Sequence, residues 1–203
     1  MFSRGGNQVG ALLYDNGTVR TVPPGTGRRH VLRVAAELSR ARPGVPGDAN
    51  GNGRGRRARA NGGRHRGTTD LAAMLDAVAR LARRRSLIIV ISDFIGDGDW
   101  ERSLLRLGPR HEVVALRVVD AADDELPEAG LVVVEDAETG EQLVIDSGDP
   151  LLRVRLRAAV DERDSGLAAG MRRAGVPMHR IDTTADLATA LVDVVTSTKR
   201  RRL

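Results

Sequence analysis

One aspartate directly follows the most apolar segment of the chain. Residues 86–91 read SLIIVI, and Asp93 comes two residues later, with Asp97 and Asp99 close behind in the stretch DFIGDGD. Carboxylate oxygens gathered at the end of a buried strand suit a hard cation such as Mg²⁺. The same position allows a simpler interpretation, in which Asp93 accepts hydrogen bonds from the backbone of the loop that follows it.

A second hard oxygen donor, Thr69, precedes the helix that comes before this strand. Thr68 or Thr69 would cap that helix, because apolar residues then recur at helical spacing over residues 71–82. In a parallel sheet, the N-termini of helices and the carboxyl ends of strands converge at one edge. Thr69 and Asp93 are therefore candidate metal ligands, although capping alone would explain Thr69 fully.

Strand and helix patterns alternate along the chain and would position these residues. The predicted strands span 8–14, 18–22, 86–91, 112–119, 131–134, 142–145 and 178–182. The predicted helices span 27–40, 71–82, 150–174 and 186–196, with a short one near 100–107. Continuous β-branched runs such as 86–91 are typical of strands buried on both faces of a parallel sheet. The order predicts an α/β fold, a three-layer sandwich with a mostly parallel, Rossmann-like sheet and a β-hairpin insertion.

The positive charge is concentrated in two segments. The net charge is +5, yet seven arginines and one aspartate fall within residues 42–67, and residues 199–202 are all basic. The rest of the chain is therefore net acidic. Residues 42–67 have the composition of a disordered Arg/Gly-rich linker, and residues 199–203 that of a basic tail. Only 2% of residues are aromatic, too few to stack bases, so we expect no specific nucleic-acid binding.

The amino-acid composition also indicates a cellular compartment. The chain has no cysteine, which favours a reducing environment. No apolar run approaches the roughly 20 residues that cross a bilayer, so we expect a cytoplasmic protein without membrane contact.

The ordered segments resemble bacterial von Willebrand factor A-like proteins of the family labelled domain of unknown function 58. The resemblance covers residues 5–198 apart from the linker. The matching stretches include QVGALLYDNGTVRTVPPGTGRRHVLRVAAEL, GTTDLAAMLDAVARL, SLIIVISDF, RHEVVALRVVD, LPEAGLVVVEDAETGE and VPMHRIDTTADLATALVDVV. In such domains a metal-ion-dependent adhesion site holds a cation through a DxSxS motif, a threonine and an aspartate. By motif, Thr69 in TTDL corresponds to the threonine and Asp93 in SDF to the aspartate.

The chain departs from that pattern at its most important motif. It contains no DxSxS, and it begins where the family's second strand begins. We therefore expect an incomplete domain that lacks the first central strand. Mg²⁺ held by one threonine and one carboxylate would keep most of its water and bind weakly. The uncovered sheet edges would favour self-association.

Three functional hypotheses follow. The resemblance implies a protein-interaction module rather than an enzyme, with an AAA+ ATPase as a partner of such proteins. The alternative is a Mg²⁺-dependent phosphate-ester hydrolase that uses Asp93 with Asp97 and Asp99. A third, less favoured hypothesis is nucleic-acid binding through the arginines of residues 54–66 and the basic tail.

Overall fold

The computed structural model describes residues 7–15, 18–40, 70–95, 99–120, 128–135 and 142–200, which form seven strands and five helices. The strands are β1 (Val9–Asp15), β2 (Thr18–Gly25), β3 (Leu87–Ser92), β4 (Glu112–Val119), β5 (Leu131–Glu135), β6 (Gln142–Asp146) and β7 (Met178–Asp182). The helices are α1 (Arg28–Arg40), α2 (Leu71–Leu81), α3 (Trp100–Leu107), α4 (Pro150–Arg173) and α5 (Leu187–Arg200).

The strands form three separate sheets. Strands β3, β4 and β7 make a parallel sheet in the order β3-β4-β7, whereas β1–β2 and β5–β6 are antiparallel hairpins. The mixed α/β class, the parallel strands and both hairpins confirm the predictions. Within the described part of the chain, β4 is the central strand of the parallel sheet, and β3 is an edge strand with β4 as its one partner.

One face of the parallel sheet carries the larger core. Residues of β3 and β4 on this face pack against α2, α3 and the C-terminal half of α4, because each helix turns an apolar stripe toward the sheet. The buried residues of this core are Leu71, Leu75, Ile88, Val90, Phe94, Leu104, Leu107, Val113, Ala115, Leu167, Met171 and Val176. The carboxyl end of β3 is thus anchored from one side.

The opposite face is covered less completely. A smaller cluster joins Val114 and Leu116 of β4 to Ile181 of β7 and Val194 of α5. On β3, Ile89 remains 47% exposed and Ile91 64% exposed. Leu87 packs against this cluster, but Ile89 and Ile91 lie beyond it, so the prediction that residues 86–91 are buried on both faces is wrong for these two isoleucines.

Two predicted element ends need correction. Helix α2 is capped by Asp70, whose carboxylate accepts a hydrogen bond from the Ala73 N–H at 2.9 Å, and not by Thr68 or Thr69. Helix α5 continues to Arg200, so the predicted basic tail begins inside a helix.

The predicted linker at 42–67 lies outside the described residues. Among the described helices, none has the length and apolarity that a membrane span requires.

Candidate functional site

The carboxyl ends of the three parallel strands share one edge of the sheet. Asp93 follows β3, Asp120 follows β4, and Asp182 ends β7. Thr183 joins the last two strands, since its N–H donates to the Val119 carbonyl at 3.0 Å and its hydroxyl donates to Asp120 Oδ2 at 2.9 Å. This edge therefore presents three carboxylates in a row, as expected for loops that follow parallel strands.

Asp93 is exposed, and its first carboxylate oxygen organises the turn after β3. Oδ1 accepts the Ile95 N–H at 3.0 Å and the Ser92 hydroxyl at 3.2 Å. The Ser92 oxygen in turn accepts the Phe94 N–H at 3.0 Å. This is the loop-capping arrangement that the sequence allowed for Asp93. No hydrogen bond joins Oδ2 to the described part of the chain.

Phe94 fixes the shape of this turn. Its backbone has a φ of 57°, in the left-handed region, which costs a non-glycine residue about 1–2 kcal/mol. The ring is 6% exposed and packs edge-on against Trp100, with 6.5 Å between ring centroids. Burial of a large aromatic ring outweighs that backbone cost. The turn therefore holds Asp93 at the surface while its neighbour is anchored in the core.

A small cavity lies beside Asp93. Its volume is about 10 Å³, close to what a single water molecule needs. The lining residues are Asp93, Ile95, Arg117, Val118, Val119, Asp120 and Arg163. One bridging water or the tip of a partner's side chain would fit a space of this size.

One wall of the cavity is formed by a buried arginine. The side chain of Arg117, on β4, is 5% exposed, and its Nη2 donates to Asp164 Oδ1 of α4 at 2.6 Å. The Nε of Arg117 has no hydrogen-bond partner among the described residues. A charge removed from water needs such a partner, so Asp164 is what permits an arginine at this position.

Asp164 lies among three arginines. Arg163 Nε is 3.6 Å from Oδ1, and Arg180 Nη1 is 4.0 Å from Oδ2. The hydrogen bond from Arg117 lowers the pKa of Asp164 below its ordinary value, and the positive charges of the three arginines add to this, whereas burial opposes it. Asp164 is therefore ionised at neutral pH. Sequence reasoning missed this pair, although a lone arginine in the apolar run EVVALRVV was the available signal.

The structure places only part of the predicted metal site. Thr69 and Asp97 lie outside the described residues. Asp99 precedes α3, makes no capping bond with its side chain, and forms an ion pair with Arg102 at 3.5 Å. Among the described residues, no group of three or more aspartates, glutamates or histidines is arranged to hold a metal ion. Around Asp93, the described residues alone therefore do not make a closed cation site.

Comparison with models of known families shows to which family the chain belongs. Residues 1–165 match the family model described as "Protein of unknown function DUF58". The chain belongs to the DUF58 family. The matched region of this DUF58 chain contains Asp93, Arg117 and Asp164, whereas β7 and α5 lie beyond it.

Several mycobacterial proteins are similar to this DUF58 chain. An uncharacterized protein of Mycobacterium bovis is 35% identical over 204 residues, which cover 99% of this chain and 57% of the relative. The same values hold for an uncharacterized protein of Mycobacterium tuberculosis. An uncharacterized protein of Mycobacterium avium is 38% identical over 136 residues, 66% of this chain and 79% of that protein. The chain thus spans about 57% of the length of the first two relatives.

One solved structure was also matched. It is described as the crystal structure of an uncharacterized membrane spanning protein from Vibrio fischeri, and it shares 13% identity with this chain. The match covers 97% of this chain and 76% of that one, with a TM-score of 0.23. A likeness at this level supports no argument about fold or function.

Proposed function

We propose that this DUF58 chain is a protein-interaction module of the von Willebrand factor A type, with a weak Mg²⁺ site at Asp93. The observation that supports this is an exposed carboxylate at the carboxyl edge of a parallel sheet, with one oxygen uncommitted among the described residues. Thr69 is the second ligand that the family resemblance implies. The metal-ion-dependent adhesion site is incomplete in this proposal, because the chain carries no DxSxS motif.

The chemistry of the site favours binding over catalysis. A Mg²⁺ ion with so few protein oxygens keeps several waters, and a carboxylate of a partner protein can replace one of them. The adjacent cavity has a volume of about 10 Å³, which suits a bridging water or the tip of a partner's side chain. Partner binding would then require the cation and be reversed by a chelator.

The partner in this proposal is another protein that presents an acidic side chain at its surface. An AAA+ ATPase is the partner that the family resemblance implies. Binding of a purified AAA+ ATPase to this chain, measured with and without a chelator, tests that part of the proposal. Affinity that does not change when Mg²⁺ is removed would contradict the cation-dependent mode.

The metal site itself is tested by thermal unfolding of the chain in Mg²⁺ or Mn²⁺. At about ten times its dissociation constant, a cation that binds only the folded state adds roughly 1.4 kcal/mol of stability. We expect a rise in Tm that Asp93→Ala abolishes. Asp99→Ala is the matched control and should keep the rise, because Asp99 is exposed and its ion pair with Arg102 is at the surface. A flat response in the unmodified chain would contradict the metal site.

The hydrolase alternative is tested by phosphate-ester turnover in the unmodified chain and in Asp93→Asn. A generic phosphate ester should show no turnover above background in Mg²⁺ or Mn²⁺ if the chain is a binding module. Turnover that requires the metal and disappears in Asp93→Asn would favour the hydrolase hypothesis instead.

A further inference from the structure

Strand β4 extends beyond the point at which β3 stops pairing with it. The Glu112 N–H donates to the Ser86 carbonyl at 3.0 Å, which fixes the alternation of the β3–β4 ladder. The even-numbered residues of β4 therefore turn their backbone groups toward β3. If the ladder continued with the same alternation, the Val118 carbonyl would accept a hydrogen bond from the Phe94 N–H.

The turn after β3 diverts this donor. The Phe94 N–H donates to the Ser92 hydroxyl oxygen at 3.0 Å, and the backbone of Phe94 has a φ of 57°. Among the described residues, no backbone N–H from the turn replaces it at the Val118 carbonyl. Val118 lines the cavity beside Asp93, so this cavity lies where the ladder ends. A carbonyl at the end of a buried ladder needs a donor, which can be a water molecule.

The walls of the cavity also hold a donor and a second acceptor. Arg117 lines the cavity, its side chain is 5% exposed, and its Nε–H has no acceptor among the described residues. Arg163 lines the cavity too, and its Nε is 3.6 Å from the Asp164 oxygen that Arg117 binds, which locates the Arg117 guanidinium on this side. Asp93 is a further lining residue, and no hydrogen bond joins its Oδ2 to the described part of the chain.

We propose that one buried water molecule binds in this cavity and continues the β3–β4 ladder beyond Ser92. The water accepts a hydrogen bond from the Arg117 Nε–H and donates to the Val118 carbonyl and to the Asp93 carboxylate. Three hydrogen bonds are typical of a buried water, and about 10 Å³ is close to the least volume that holds one. The water couples Asp93 at the surface to the buried ion pair of Arg117 with Asp164, so Arg117 is a positioning residue for the Asp93 carboxylate.

The charges around the cavity favour a neutral ligand. Two aspartates and two arginines line it, so their formal charges cancel. A water molecule can donate to the carboxylates and accept from the guanidinium groups, whereas an ion would be attracted by one pair and repelled by the other. The water site goes beyond the proposed function and does not depend on it, because a carboxylate oxygen has a second lone pair for a cation. Measurements in a chelating buffer therefore test the water site separately from the metal site.

The first experiment is NMR of the Arg117 Nε–H in the full chain, in chelating buffer. The resonance is assigned by its loss in Arg117→Lys, or by through-bond correlation if that variant does not fold. We expect the proton to show cross-relaxation with a bound water and to exchange at least about tenfold more slowly than the Nε–H of Arg102, whose side chain is 77% exposed. Exchange as fast as that of Arg102, or contacts to another side chain in place of water, overturns the proposal.

A conservative variant tests the bond from the water to Asp93. Asp93→Asn keeps a carbonyl oxygen for the Ile95 N–H but replaces the other oxygen with an NH₂ group, which cannot accept a hydrogen bond from water. We expect the Arg117 Nε–H resonance to shift and its cross-relaxation with water to weaken. Asp99→Asn makes the same charge change close by, at a residue that does not line the cavity, and should alter neither signal. Equal effects of the two variants would contradict the bridge to Asp93.

Scalar couplings across hydrogen bonds test the end of the ladder without any variant. A coupling between the amide nitrogen of Glu112 and the carbonyl carbon of Ser86 should be present, because these groups are directly bonded. The corresponding coupling between Phe94 and Val118 should be missing, because the water takes the place of the Phe94 N–H. A Phe94–Val118 coupling of the same size would show that the ladder continues directly, and it would overturn the proposal.

Discussion

At the scale of single residues, the buried guanidinium of Arg117 depends on one carboxylate. Asp164→Ala would leave a 5% exposed arginine without its hydrogen bond and close to Arg163 and Arg180. Breaking a buried pair costs about 3–5 kcal/mol. Since Asp164 is itself 27% exposed, we expect a loss of about 2 kcal/mol, measured by urea denaturation. The control, Asp161→Ala on the exposed side of α4, should stay within about 0.5 kcal/mol.

The same pair predicts a partial rescue. Arg117→Leu with Asp164→Ala removes the isolated charge, so the double variant should be more stable than Asp164→Ala alone. A double variant less stable than the single one would show that packing of the arginine stem, and not its charge, dominates.

His111 gives a prediction about pH. It is 6% exposed, and its Nδ1 has no hydrogen-bond partner among the described residues. Burial lowers the pKa of His111 below 6.5, and the charge of Arg110 lowers it further. As the pH falls, His111 therefore becomes protonated at a higher pH in the unfolded chain than in the folded chain. This residue contributes no pH dependence well above pH 6.5, and stability decreases below it, by at most about 1.4 kcal/mol per pH unit.

The measurement is the free energy of unfolding between about pH 7.5 and pH 5.5, compared with His111→Leu. Protonation of carboxylates such as Asp164 also destabilises the folded chain, but at a lower pH, because the pKa of Asp164 lies below its ordinary value. The variant should therefore show a shallower decline than the unmodified chain in this window. Equal slopes would mean that His111 is protonated without cost in the folded state.

Local patterns predicted the placement of Asp93 but not its surroundings. The apolar run before it and its position at a strand end were enough to place it at the sheet edge. The sequence allowed Asp93 to be a cation ligand or a cap of the following loop. The hydrogen bond that it accepts from the Ile95 N–H is visible only in the coordinates. Arg117 and Asp164 are 47 residues apart in the sequence, and a hydrophobic periodicity does not indicate contacts between residues so far apart. Asp70 displaced Thr69 as the cap because three consecutive residues had suitable side chains.

At the scale of elements, the packing of α3 on α4 rests on a glycine. A Cβ at Gly170 would lie 2.7 Å from Trp100 Cη2 and 3.2 Å from Glu101 Oε2, whereas a Cβ at Gly166 would meet nothing within 4 Å. The two helices are also joined by a two-point ion pair, with Arg173 Nε and Nη2 at 2.7 and 2.8 Å from the carboxylate of Glu101. Trp100 has little freedom to retreat because Phe94 packs against it.

This contact predicts opposite effects for two identical substitutions on α4. Gly170→Ala should destabilise the chain by about 1–3 kcal/mol through overpacking, despite the better helix propensity of alanine. Gly166→Ala should stabilise it by about 0.5–1 kcal/mol, since it gains propensity without a clash. Both are measured as shifts in the urea midpoint. Stabilisation by both would show that α3 moves freely over α4.

The elements themselves were largely predictable, because each carries its own periodicity or β-branched run. Helix α3 and strands β4 and β7 were placed within a residue or two of their observed ends. What the patterns did not show was which strands become neighbours. SLIIVI reads as a central strand, yet among the described strands β3 has β4 as its one neighbour, and Ile89 and Ile91 are exposed. Strand order depends on contacts far apart in sequence, which composition does not encode.

At the scale of the whole molecule, the division into three sheets predicts an uneven stability. Strand β4 is paired on both sides, and Ala115 within it is 0% exposed, with its N–H bonded to the Pro177 carbonyl at 2.9 Å. Among the described residues the β5–β6 sheet has two strands, and Val133, Leu143 and Val144 are all more than 60% exposed. Two-stranded hairpins are marginally stable in water, so this one should open without global unfolding.

Hydrogen exchange measures this directly. Amides of β4 should exchange only through global unfolding, and those of β5 and β6 at least about a hundredfold faster, a difference of roughly 2.7 kcal/mol in opening free energy. Exchange of the β5 and β6 amides as slow as that of the β4 amides would show that the hairpin opens only together with the rest of the molecule, and would contradict this prediction.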